Sequence, residues 1–256
     1  MKYLRFYKNG EVKYGLLEED TITELNGNFL SGKVEQLDSK YNLSEVKLLP
    51  PVEPGKIIAV GLNYSSHAKE MGRDIPDEPM IFMVSPTAII GNDDYVSLPN
   101  INHKTDYEAE LAVVIGKKAK DVKRDKALPY VYGYTCANDI SDRDLQKKDV
   151  QFTRAKSYDT FKPLGPVIST NIDGDNANIS LSINGVIKQQ SNTEDFIHNV
   201  SALIEEITKV MTLYPGDVIL TGTPSGVGSL KPGDNIELHI EGIGTLRNKV
   251  NKVNKI

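Results

Sequence analysis

The chain has 256 residues, 39% hydrophobic and 25% charged, the balance of a soluble globular protein. That length suits one large domain, or one domain with a small appendage. The formal net charge is -5 with no basic block or basic-aromatic stripe, which argues against a nucleic-acid partner. Cys136 is the only cysteine, so no intrachain disulfide forms. The N-terminal stretch lacks the uninterrupted apolar segment of a secretory signal, and no apolar run approaches the ~18 residues that span a bilayer. A cytoplasmic protein without membrane contact is expected.

Residues 1–50 read as a small β-rich domain. Leu4–Tyr7 and Val12–Leu16 are short strands joined by a turn at Asn9-Gly10. Pro50-Pro51 and Pro54-Gly55 then break the chain, and a second domain is expected over residues 54–256. Its first strand is Lys56–Gly61, followed by a short helix or ordered loop over Asn63–Met71. Further strands are expected at Ile81–Val84, Leu111–Ile115 and Val131–Thr135. Ser141–Thr153 reads as a polar, helix-like stretch. Ile179–Ile183 alternates apolar and polar and turns at Asn184-Gly185 into Val186-Ile187. Thr193–Met211 has helical spacing, with Phe196, Val200, Leu203, Ile204 and Ile207 on one side. Asp217–Thr221 is a strand ending in a glycine-rich loop, and Ile236–Ile240 with Gly244–Val250 form a closing pair. Many short strands and few long helices give an α+β, mostly β architecture without regular βαβ alternation.

The most informative segment is Asp106-Tyr107-Glu108-Ala109-Glu110, directly before the apolar run Leu111–Ile115. A carboxylate at the mouth of a buried strand loses hydration unless something pairs with it. Residues i and i+2 of a strand share a face, so Glu108 and Glu110 aim at one point. Asp139, after the segment Val131–Thr135, is a third candidate. Three converging carboxylates repel one another unless a hard divalent cation holds them, and oxygen-only ligation suits magnesium, manganese or calcium better than zinc. On spacing alone the alternative stays open that Glu108 and Glu110 face solvent on an edge strand.

His67 and Glu70 are three apart on one helical face, where a carboxylate fixes the tautomer of an imidazole base. An incidental surface pair is the competing reading. Lys156, in Ala155-Lys156-Ser157, is of a type that neutralises charge on a substrate oxygen. Arg143, three residues before Gln146, suits a substrate carboxylate or an ion pair with Asp142 or Asp144. The loop Thr221–Gly228 lacks a phosphate-loop signature, yet its backbone N–H groups, at Gly222 and Thr223 among others, suit an anion. His103, His198 and His239 receive no role; His198 is placed on the flank of the long helix.

In this order the segments resemble the fumarylacetoacetate hydrolase superfamily. The resemblance rests on Gly61-Leu62-Asn63-Tyr64 with His67 and Glu70, Asp106–Leu111, Gly133–Asp139, Arg143–Gln146, Ala155–Ser157 and Asp217–Pro224, and covers residues 54 to 250. It is similar to the single-chain branch with acylpyruvate hydrolases and hydroxymuconate-type isomerases and decarboxylases. The resemblance implies a mixed β-sandwich roll with a small β-rich N-terminal extension, usually a homodimer, and a central Mg2+ or Mn2+, with Ca2+ as a further option. It implies Glu108, Glu110 and Asp139 as metal ligands, and His67 and Glu70 on a lid as catalytic groups with Lys156. It implies Arg143, Gln146, Gly222 and Thr223 around the substrate. The expected activity is hydrolysis of a carbon–carbon bond in a small 2,4-dioxo acid through a metal-stabilised enolate. The alternatives are a 2-hydroxymuconate-type isomerase or oxaloacetate-type decarboxylase, and more remotely a non-catalytic metal-binding protein. One departure is that Phe82-Met83-Val84-Ser85-Pro86 lacks the lysine that relatives often carry there.

Overall fold

The structure is a computed structural model and describes residues 1–252; residues 253–256, the end of the expected second domain, lie outside it. The protein is α+β and mostly β. Its backbone is a mixed 12-stranded sheet. At its centre run Lys162–Ser169, Val131–Asn138, Ala109–Ile115, Val218–Leu220 and Ile57–Gly61 as consecutive neighbours. The run Leu111–Ile115 is apolar at every position because both faces of its strand are covered. Leu111, Val113 and Ile115 pack into one apolar cluster, and Ala112 and Val114 into a second.

A five-stranded sheet supplies much of that cover. The alternation in Asn178–Ile183 is real: Ile179, Leu181 and Ile183 point inward and pair with Ile240, Leu238 and Ile236 of the strand Asn235–Ile240. The strand Gly244–Lys252 follows, with Tyr95–Leu98 at the edge. Residues 1–49 contribute five strands, and the first, Lys2–Lys8, pairs with Lys162–Ser169 through Lys2↔Ser169 and Tyr3↔Ile168. Leu4, Phe6 and Ile22 accordingly share an apolar cluster with Leu111 and Val113.

The helices are short. Helix α1 spans Ser65–Glu70, α2 Arg143–Lys148, α3 Thr153–Lys156 and α4 Val200–Val210. The polar stretch Ser141–Thr153 is thus a two-residue strand, Ser141–Asp142, followed by α2 and the start of α3. The long helix begins later than its spacing suggests, because Asn199 caps it by accepting from the Ala202 N–H at 3.1 Å. Phe196 and His198 therefore precede α4. Phe196 bridges Tyr64, with ring centroids 4.9 Å apart, and the His198 ring meets the Pro76 carbonyl at 3.1 Å. No helix among the described residues is long and apolar enough to cross a membrane.

Asn63 fastens the chain just before α1. It is fully buried; its Nδ2 donates to the carbonyls of His198 (3.0 Å) and Thr221 (2.8 Å), and its Oδ1 accepts from the His198 N–H (2.8 Å). Asn63→Ala leaves the buried Thr221 carbonyl and the half-buried His198 N–H and carbonyl without these partners, at a cost of about 3 kcal/mol. Thermal unfolding should show the melting temperature down by roughly 6–12 °C; an unchanged value would show that these three bonds do not hold α1 to the sheet.

Candidate active site

Register brings the acids together. Ala109 pairs with Asn138 and Glu110 with Ala137, so the ends of two central strands place Glu108, Glu110 and Asp139 side by side. Two further bonds lock this end: the Glu108 N–H donates to Asn138 Oδ1, and the Asp139 N–H to the Glu108 carbonyl, each at 2.9 Å. Glu108, Glu110 and Asp139 are only 6%, 1% and 1% exposed, and one oxygen from each lies within 4.8 Å of the others. The solvent-facing edge reading is excluded, because Ala109–Ile115 lies between Val131–Asn138 and Val218–Leu220.

Three cations come from later segments. Lys156, at the end of α3, reaches Glu108 Oε2 at 2.8 Å and also bonds Asp139. Arg143, the first residue of α2, bonds Asp106 at 2.9 Å, Glu108, and Gln146 Oε1 at 2.7 Å. Its ion-pair partners are therefore Asp106 and Glu108 rather than Asp142 or Asp144, and all three guanidinium nitrogens are engaged. Lys162, in the strand Lys162–Ser169, lies 2.8 Å from Asp139 Oδ1 and donates to the carbonyls of Ile140 and Phe161 at 3.0 Å. The Lys162–Asp139 contact is an ion pair without hydrogen-bond alignment.

The carboxylates are compensated unequally. Burial alone would raise Glu108, but Lys156 and then Arg143 outweigh it and hold the carboxyl down to about 2. Glu110 goes the other way: burial, then the charges of Asp139 and Glu108, push it well above the usual carboxylate range. Its hydrogen-bond partner is the Gly222 N–H at 2.8 Å, and no Lys or Arg among the described residues bonds it. Burial lowers Lys162 against the pull of Asp139. An all-oxygen donor set less than 5 Å across, with one ligand uncompensated, fits a hard divalent cation with ligand distances of about 2.0–2.6 Å.

Glu108, Glu110 and Lys156 line a cleft of about 550 Å³ that also includes His67, Glu70, Arg143, Gln146 and Thr223, with Asp139 and Lys162 behind its wall. Glu70 Oε2 lies 2.9 Å from His67 Nδ1, and its Oε1 accepts from the Gly226 N–H at 3.2 Å. The pair thus faces the acids and is fastened to the glycine-rich loop. Gly222 turns that loop at φ +92°, where a Cβ would sit 2.8 Å from Asn63 Cβ. Thr223 Oγ1 accepts from Gln189 Nε2 at 2.9 Å. Phe82, Phe152 and Met80 form an apolar wall, with Lys156 Nζ 5.4 Å from the centre of the Phe82 ring.

Sequence reasoning missed Lys162, Asp106 as the partner of Arg143, and Gln189. No sequence pattern marked the first, because Pro163, Gly165 and Pro166 interrupt Phe161–Ile168. His103 pairs with Asp142 at 2.6 Å, but Asp142 also caps α2 and Asp144 accepts from the Lys104 N–H, so that second cluster is internally satisfied. His239 bonds Thr245 on the surface.

A buried acid cluster, a histidine held by a glutamate and the buried Lys156 meet at one cleft on a mixed β fold. Residues 56–251 match the family described as fumarylacetoacetate (FAA) hydrolase, C-terminal, and residues 1–51 match the Rv2993c-like N-terminal family. The chain belongs to the fumarylacetoacetate hydrolase family, whose members include hydrolases, isomerases and tautomerases. It is 44% identical over 225 residues to the oxaloacetate tautomerase YisK of Bacillus subtilis, covering 82% of this chain and 75% of that one. The solved 5-carboxymethyl-2-hydroxymuconate delta-isomerase from Mycobacterium smegmatis superposes with a TM-score of 0.92 at 40% identity, over 99% of this chain and 100% of that one. The solved maleylpyruvate hydrolase from Sphingobium sp. SYK-6, in complex with manganese (II) ion and pyruvate, superposes with a TM-score of 0.84 at 28% identity, over 99% and 100% of the two chains.

The sign of the Glu110 shift gives a test on the metal-free protein. Its folded value lies above the unfolded 4.5, so its favourable contribution is complete below pH 4.5 and is lost as pH rises through the folded value. With chelator at pH 7, Glu110→Gln should melt at a higher temperature than the wild type, and the difference should vanish below pH 4.5. Thermal unfolding between the two pH values measures this, and a destabilised variant at pH 7 would contradict it.

Proposed function

We propose that the chain is a divalent-metal-dependent hydrolase that cleaves a carbon–carbon bond in a small 2,4-dioxo acid of the acylpyruvate or fumarylacetoacetate kind. Glu108, Glu110 and Asp139 would hold Mg2+ or Mn2+. The observation that carries this reading is Glu110, a buried carboxylate that no Lys or Arg among the described residues bonds, in the cleft that also holds the His67–Glu70 pair. The manganese and pyruvate bound by the Sphingobium hydrolase support it, since hydrolysis of an acylpyruvate releases pyruvate.

When bound, the ion would polarise the substrate's carboxylate and α-oxo oxygen and offset the negative charge that develops there. The remaining steps belong to the side chains. Glu70 holds Nδ1 of His67, which leaves Nε2 to take a proton from the water attacking the distal carbonyl. Glu70 also stabilises the imidazolium that results. Lys156 sets positive charge at the cleft wall for the oxygen of the attacked carbonyl. The carbon–carbon bond then breaks, the hydroxyl staying on the acyl carbon and the proton from His67 passing to the carbon released with pyruvate. Arg143, with its fork committed to Asp106, Glu108 and Gln146, contributes charge and shape to the cleft rather than a free carboxylate clamp.

A second reading is a tautomerase or isomerase of 2-oxo acids, with His67 moving a proton along the substrate instead of activating water. The Bacillus and Mycobacterium relatives favour it, being more similar to this chain than the Sphingobium hydrolase. An oxaloacetate-type decarboxylase would use the same acids.

Turnover of acylpyruvates, oxaloacetate and hydroxymuconate-type acids with added Mg2+ or Mn2+ separates these readings. On the hydrolase reading, His67→Ala lowers acylpyruvate hydrolysis by about 10²-fold or more and oxaloacetate decarboxylation less. Equal losses on both substrates would move His67 from water activation to binding. Hydrolysis that persists after exhaustive chelation would reject the metal reading.

A further inference from the structure

Asp139 meets two lysines, on different oxygens and in different surroundings. Lys156 reaches Oδ2, shares itself with Glu108 and lines the cleft. Lys162 lies 2.8 Å from Oδ1, is 2% exposed, and is fixed from behind by two carbonyls, Ile140 and Phe161. The Phe161 carbonyl also accepts from the Ile140 N–H at 3.2 Å, and Ser141 Oγ donates to the Asp139 carbonyl at 2.8 Å. The segment from Asp139 to Ser141 is therefore tied to the strand that carries Lys162. Neither Lys162 nor Asp139 lines the cleft directly.

Resting on the metal reading above, we propose that Lys162 is a positioning residue that occupies Oδ1 of Asp139, makes it a one-oxygen ligand, and so selects a small octahedral cation over calcium. A carboxylate binds a cation through one oxygen or both. Calcium accepts six to eight oxygens and often takes both atoms of a carboxylate, whereas magnesium and manganese suit near-octahedral sites of single oxygens. Oδ2 lies on the side of Glu108, since Lys156 bridges those two carboxylates. With Oδ1 paired to Lys162, Asp139 presents one oxygen and resists the two-oxygen mode that would favour calcium.

The test titrates the full chain, stripped of metal, with MnCl2 and separately with CaCl2, reading dissociation constants from ligand-dependent thermal shifts. Wild type should prefer manganese. Lys162→Met removes the terminal nitrogen at nearly constant volume, and should cut the manganese-over-calcium preference by about tenfold or more. Any charge lost with the lysine acts on two divalent ions alike and cancels in the ratio. A loss of general stability appears in the metal-free melting temperature and leaves the ratio unmoved. A ratio within about twofold of wild type overturns the proposal whatever the separate affinities do. If the variant fails to fold, the wild type still decides: calcium bound as tightly as manganese overturns the proposal. Failure of the underlying metal reading looks different, since wild type would then show no shift with either ion and Glu110→Ala would change nothing.

Discussion

Burial of four acids, three at the ends of two central strands and Asp106 on the neighbouring strand Thr105–Tyr107 of a three-stranded sheet, is the constraint on which the rest depends. Asp106, Glu108, Glu110 and Asp139 are each at most 6% exposed. Taking a charge out of water costs several kcal/mol, and removing one member of a buried pair typically costs about 3–5 kcal/mol. The fold meets this by bringing Arg143, Lys156 and Lys162 from three separate segments onto the strand ends. Three cations against four carboxylates leave a deficit, and it falls on Glu110, the acid with only a backbone donor.

Most of the central scaffold was legible because both faces of it are apolar. Lys56–Gly61, Leu111–Ile115 and Val131–Thr135 announced themselves as apolar runs, and Ile179–Ile183 as a strict alternation. Gln36–Asn42 was not legible: it is largely exposed and polar, and only its pairing with Thr21–Leu25 makes it a strand. Lys162–Ser169 was hidden by Pro163, Gly165 and Pro166, residues that read as breakers. It retains strand geometry by pairing at isolated points, such as Ala137↔Leu164 and Tyr134↔Ser169, around a register shift. The long helix was overextended because Phe196 and Ile197 keep the helical period while Asn199 sets the true start.

The acid side of the site was readable and the basic side was not, for a physical reason. Carboxylates at i and i+2 of a strand converge through local geometry, so spacing carries the information. Lys156 and Lys162 meet Asp139 across 17 and 23 positions of sequence, through the packing of α3 and of a strand that no pattern revealed. Arg143 shows the same limit. Its neighbours in sequence, Asp142 and Asp144, are engaged in capping α2 and binding the Lys104 N–H, and its true partner Asp106 lies across the three-stranded sheet.

The two halves of the cleft are held with different strength. The acids sit at the end of the strand Ala109–Ile115, buried at every residue, and of its partner Val131–Asn138, tied by paired backbone bonds. The histidine sits on a six-residue helix that buries only Ala68, followed by exposed residues such as Met71 and Ile75. Asn63 anchors one end of α1 deep in the sheet. At the other end Glu70 makes one 3.2 Å bond to the Gly226 N–H, of a kind worth about 0.5–1.5 kcal/mol, and half of the Glu70 side chain faces solvent. Ser65 and Ser66 bond Asp195 in the first turn, so α1 is held at its start by several bonds and at its end by the Glu70 contact. The same carboxylate meets His67 through its other oxygen, so the residue that ties α1 to the glycine-rich loop also orients the imidazole.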